Sequence, residues 1–170
     1  MDADRGPALA APSPLARARA DQVATLYASW PRTTASMLFG GTLFCTAMWG
    51  EASPALMAAW LALVVANQGW RGLLVRAWRR AHPGPSAMRR WGCYWSVGST
   101  AAGSLWGIAA IAMFPGTPAH QALSIVCLFG VVLGGLNLTA VYKPSFYGFV
   151  LPALVPLILR VGAEGGPVHL

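Results

Sequence analysis

A chain of 170 residues with 56% hydrophobic and only 10% charged content has too few charges to clothe a soluble globule of its size. A mean hydropathy of +0.53 makes an integral membrane protein the leading class and sets aside an aqueous enzyme, a collagen, a coiled coil and a wholly disordered chain. The net charge of +7 raises nucleic acid as a partner, but the charges sit at the ends of apolar runs. Membrane lipid is therefore the expected partner, and no nucleic acid.

Residues 1–32 are rich in Ala, Pro and Arg, with Pro7, Pro12 and Pro14 breaking any early helix. They read as a partly disordered cytoplasmic tail, with a short interfacial helix over 24–30 that offers Leu26, Tyr27 and Trp30 as an amphipathic edge. A signal peptide is not expected, because the apolar region begins only after Arg32. A transmembrane helical domain follows over 33–161, with spans at about 33–49, 55–74, 91–114, 119–142 and 145–161. The first turn is Gly50 to Pro54, and Pro54 suits the first turn of the next helix. Arg71, Arg76, Arg79, Arg80, Arg89 and Arg90 crowd the second connection, around Pro83, Gly84 and Pro85. Pro115 to Pro118 end the third span, and Lys143 with Pro144 ends the fourth. A short outer tail, 162–170, closes the chain. The runs are continuously apolar rather than alternating, so the fold class is all-α, a polytopic bundle of about five spans.

With the N-terminus inside, eleven of the twelve Lys and Arg fall on the cytoplasmic side and only Arg160 outside. That positive-inside bias predicts a multi-pass protein of the bacterial inner membrane, N-terminus cytoplasmic and C-terminus periplasmic.

Polar groups inside a membrane are the default functional candidates. Asn67 and Gln68 in the second span and Asn137 and Thr139 in the fourth share one depth, as interhelical hydrogen bonds or as a small polar ligand site. No Asp, Glu, Lys or Arg is placed in the middle of a span, which argues against a proton-coupled pump and a voltage sensor. His82, His120 and His169 are too dispersed for a haem or a metal. Cys45, Cys93 and Cys127 show no pairing rhythm and exclude a disulfide-stapled secreted domain. No glycine-rich phosphate loop, GxSxG, HExxH or CxxC is present. Neither enzyme activity nor a cofactor is expected.

Small residues four apart let helix backbones approach closely. Gly103 with Gly107, and Gly130 with Gly134, form such GxxxG pairs, and the third and fourth spans are expected to pack on each other or on a partner subunit. Pro152 and Pro156 remove backbone donors within the fifth span and are expected to kink it. Trp30, Trp49, Trp70, Trp91 and Trp95 fall at span ends, where tryptophans anchor a helix in the interface.

From about Arg90 onward the landmarks are Gly103 to Gly107, Phe114 and Pro115, His120 to Leu123, Gly134, Tyr142, Pro144, Phe146, Phe149, Pro152, Pro156 and a closing Gly165 to Leu170. This pattern resembles the N-terminal multi-helix membrane region of bacterial sensory proteins, whose cytoplasmic parts are hybrid histidine kinases or cyclic-di-GMP synthases and phosphodiesterases. The resemblance implies a non-catalytic sensory or anchoring module in two-component or cyclic-di-GMP signal transduction; a homo-oligomer or another membrane protein is the expected partner. In those receptors a further helix returns the chain to the cytoplasm, and this chain is expected to be a truncated form without it. A small transport or channel subunit and a structural partner are the competing readings.

Overall fold

The computed structural model describes residues 13–164, the side chains at 85, 136–139 and 164 excepted. It is all-α, with helices α1 (Pro14–Ala28), α2 (Trp30–Ala47), α3 (Pro54–Ala81), α4 (Met88–Ala112), α5 (Pro118–Thr139) and α6 (Lys143–Glu164), and a short 3₁₀ turn at Pro85–Ala87.

Local chemistry sets most of the boundaries. Ser13 accepts a hydrogen bond from the Ala16 amide at 3.3 Å and Pro14 takes the first helical position, where its missing N–H costs nothing. Pro14 thus opens a helix that the sequence reading has it breaking, and the expected tail is ordered from there. Ser53 and Pro54 repeat the arrangement at α3, with Ser53 accepting from the Leu56 amide at 3.4 Å. Between α2 and α3 the chain reverses through Gly50 at φ +89°, a conformation that strains any residue with a Cβ. α3 runs on to Ala81, so Arg71, Arg76, Arg79 and Arg80 lie on a helix rather than in a loop.

The residue pairs in contact show that the helices from α2 to α6 alternate in direction. Trp30 lies at Gly72 and Gly41 at Leu61, so α2 and α3 run antiparallel. Trp60 Nε1 donates to the Leu105 carbonyl at 2.7 Å and Asn67 Nδ2 to the Gly98 carbonyl at 3.2 Å, which sets α3 against α4. Gly40 meets Val131, pairing α2 with α5. α4 and α6 lie parallel and form the most extensive pair of the bundle, Gly92 against Tyr142 and Gly103 against Phe149.

That pairing corrects the expected role of the glycine motifs. A Cβ at Gly103 would run into the Phe149 carbonyl, and one at Gly107 into the Pro152 carbonyl, so the α4 motif packs on α6 and hardly touches α5. Pro156 has no N–H to offer the carbonyl four residues back, and that carbonyl is the Pro152 one, turned against Gly107 where a Cα–H can reach it. In α5 nothing approaches Gly130 and only Ser36 Oγ lies near Gly134, at 3.5 Å. Both prolines sit inside α6, which continues past them to Glu164.

Two cores result. The larger is dry and centres on Phe44, Trp60 and Trp106, whose rings contact one another at centroid separations of 4.9 to 5.7 Å. The smaller holds Val23, Leu26 and Tyr27 of α1 against Leu74, Val75, Met88, Trp91 and Trp95. Trp91 and Trp95 are buried there and are not interfacial anchors, whereas Trp49 and Trp70 are exposed as anchors would be.

Among the described residues two helices are long and apolar enough to cross a bilayer by composition, over Pro118–Gly135 and Lys143–Ala163, with mean hydropathies of 1.5 and 1.8. The expectation was about five. α2, α3 and α4 fall short because Arg, Ser, Thr, Gly and Trp dilute their hydropathy. Large hydrophobic side chains nevertheless face outward on all five of the helices α2 to α6, among them Phe39, Leu63, Val97, Phe129 and Leu159.

Candidate functional site

Polar groups gather toward the α1 end of the bundle, where α1, the second half of α3, the first half of α4 and the start of α6 meet. The centre is Arg71, 1% exposed. Its Nη2 donates to Ser99 Oγ at 2.6 Å, and its guanidinium lies over the Trp95 ring, 4.5 Å from the centroid. Ser99 Oγ lies 2.6 Å from Ser145 Oγ and 3.2 Å from the Trp95 carbonyl. A consistent proton arrangement has Ser99 accepting from Arg71 and Ser145 while donating to Trp95, which uses the whole capacity of one hydroxyl. One side chain of α3 is thereby tied to α4 and α6 together.

Gly98 makes room for this arrangement: a Cβ there would stand 3.2 Å from Arg71 Nε. On the α1 side Tyr27 closes the site. Its hydroxyl donates to the Trp91 carbonyl at 3.0 Å, and its ring stacks on Trp78 and tilts against Trp95 at centroid distances of 5.0 and 4.9 Å. Burial pushes the Tyr27 phenol well above its ordinary range, an effect the nearby Arg71 guanidinium partly offsets.

Arg71 has no carboxylate partner among the described residues; at the opposite end Glu51 Oε1 lies 3.4 Å from His120 Nδ1. Its Nε is also without a partner, as are the buried indole N–H groups of Trp30, Trp78 and Trp95 and the amide nitrogen of Gln68. All of these are donors. The site holds more donors than acceptors, a costly arrangement away from water.

The sequence-predicted polar set does not form one pocket. Asn67 reaches α4 through the Gly98 carbonyl, while Gln68 turns toward α2 and accepts from Thr34 Oγ1 at 3.3 Å. Asn137 and Thr139 have side chains outside the described residues. The sequence places Arg71 at the membrane interface, among the arginines that crowd the second connection, whereas the structure buries it. A usable signal was present: Arg71 follows Gln68 by three residues and Val64 by seven, which places all three on one helix face, and all three are buried.

The rest of the charge is polarised. Every described Lys and Arg except Arg160 lies at the α1 end, while the other end carries Glu51, which accepts from the Gly116 amide and from Thr117 Oγ1 and so ties the α2–α3 turn to the α4–α5 turn. No family model, curated protein or solved structure matches this chain.

Proposed function

We infer that the chain is a membrane-embedded, non-catalytic sensory or anchoring module of a signalling receptor, with α2 to α6 crossing the bilayer and α1 lying across the basic, cytoplasmic end. The observation that carries this reading is the buried guanidinium of Arg71, held by serine hydroxyls at the junction of four helices with unsatisfied donors around it. Such a site is expensive in its present packing and gains from any rearrangement, or any hydrogen-bond acceptor, that satisfies it. That is the property a two-state element needs.

The apolar outer surface, the alternating helix directions and the one-sided charge support five crossings rather than two. The apolar windows of α5 and α6 are mostly exposed, 22% and 17% buried, unlike the core helices of a soluble protein. The landmarks from Gly103 to Pro156 support the sensory reading through their resemblance to receptor membrane regions.

Spin labels at Ala18 and Arg90, in a background lacking the native cysteines, report the separation of α1 from α4 in nanodiscs of different thickness. Two distance populations are expected, with a ratio that follows bilayer thickness and that Arg71→Met collapses to one. A single distance in every bilayer, unmoved by Arg71→Met, contradicts the sensory reading. Solute flux in vesicles abolished by Gln68→Leu would replace it with a transport subunit.

A further inference from the structure

Outside the Arg71 site, two adjoining depressions occur on the α4 and α6 side of the basic end. The first, of about 620 Å³, brings together Arg19 and Gln22 of α1, Arg89 of α4 and Lys143 of α6, with Tyr142 at its wall. The second, of about 690 Å³, runs along α4 past Cys93, Val97, Ala101 and Ser104 and shares Arg89, Tyr142 and Pro144 with the first. One is basic and open to the interface; the other is apolar and open to the side.

We propose that these two cavities together form a binding site for one anionic phospholipid, its phosphate among Arg19, Arg89 and Lys143 and an acyl chain along α4. This inference rests on the membrane reading above. The charge argument is direct: three cations from three separate helices converge, and none of them pairs with a carboxylate among the described residues. Isolated surface charges spread apart by mutual repulsion, whereas here the fold of α1 onto α4 holds them together. A bound phosphate offers the acceptors that these donors need.

The groove argues for a lipid rather than a free anion. From Arg89 to Ser104 the cleft follows about 22 Å of helix, more than the roughly 15 Å depth of one leaflet's hydrocarbon. Cys93, Ser96, Thr100, Ala101 and Ser104 keep it shallow-walled and free of long side chains. Cavities that accept a soluble phosphate have no use for an apolar extension of that length. Bound in this way, the lipid would bridge α1, α4 and α6, the helices that surround Arg71, and would stabilise the present packing against its alternative.

The test uses the full chain reconstituted in vesicles and nanodiscs, with phosphatidylglycerol and phosphatidylcholine of identical chains as probes and native mass spectrometry counting retained lipid. Retention of one phosphatidylglycerol in preference to phosphatidylcholine is expected. Removing Arg19, Arg89 or Lys143 as Gln should weaken it about fivefold per cation. The control Arg76→Gln with Arg80→Gln removes charge from the same end outside the cavity and should leave the retained lipid in place. Ala101→Phe obstructs the groove alone and should weaken lipid binding while sparing inorganic phosphate. Equal loss in the control variant, or binding of inorganic phosphate that competes fully with the lipid and ignores Ala101→Phe, overturns the proposal. Equal retention of both lipids by a chain that still reconstitutes overturns the lipid site and leaves the membrane reading standing; failure to enter vesicles at all overturns both.

Discussion

The two ends of the bundle are built on different principles. Around Phe44, Trp60 and Trp106 the helices meet through ring contacts and through glycines that let α4 and α6 touch backbone to backbone. At the α1 end a guanidinium, two serines, a tyrosine and three tryptophans share a space with surplus donors. In a bilayer, lipid tails are as apolar as leucine, so the dry half draws its stability from close packing. The polar half draws less, because each buried donor without an acceptor subtracts from what packing supplies. On the proposed reading the first half would be the frame and the second the part able to change.

The largest expected effects lie in the frame. Trp106→Ala removes a ring that contacts Phe44 and Trp60 and an indole that donates to Met37 Sδ, and it should cost about 3 kcal/mol. Unfolding in mixed detergent micelles measures this. Gly107→Ala should cost about 2–3 kcal/mol by forcing α4 from α6, while Gly130→Ala, whose Cβ meets nothing, should cost nothing measurable. If the two glycines proved equally sensitive, the α4–α6 packing would not be what holds the frame.

Smaller effects are expected where the ends are tied. Tyr27→Phe keeps the ring against Trp78 and Trp95 but removes the hydroxyl's bond to the Trp91 carbonyl, and should cost about 1 kcal/mol. The phenol's raised pKa gives this a pH signature. Folding favours the protonated phenol, so its contribution is intact below the unfolded value of about 10 and is lost as pH rises above it. The Phe variant should therefore lose less stability than the parent in the alkaline range. Glu51→Gln weakens an exposed clasp to His120 and the α4–α5 turn and should cost under about 1 kcal/mol.

Much of the architecture could be read directly from the chain. The all-helical class, the turns at Gly50 to Pro54 and Pro115 to Pro118, and the crowding of arginines toward one end all follow from residue types and spacing. What eluded the sequence depended on neighbours distant in the chain. The burial of Arg71 depends on α1, whose Tyr27 closes the site, and α1 falls within the expected tail because Pro14 can open a helix as well as break one. Gly103 and Gly107 declared a close approach without naming its other side. Adjacent segments usually pack together, yet here α4 bypasses α5 for α6, whose carbonyl at Pro152 is left free by Pro156. The expected five spans meet only two helices of sufficient hydropathy among the described residues, since the glycines, serines and tryptophans that pack α3 and α4 also lower their apolar score.

The central claim, five crossings with a basic end on one face, is tested most directly by thiol accessibility in sealed vesicles. Single cysteines are placed at Ser53, Ser86 and Thr117, in the turns after α2, α3 and α4, in a chain whose native cysteines are replaced. A membrane-impermeant reagent should label Ser86→Cys from one side only, and Ser53→Cys and Thr117→Cys only from the other. Labelling of all three from the same side would mean that only α5 and α6 cross the bilayer, and would contradict the account.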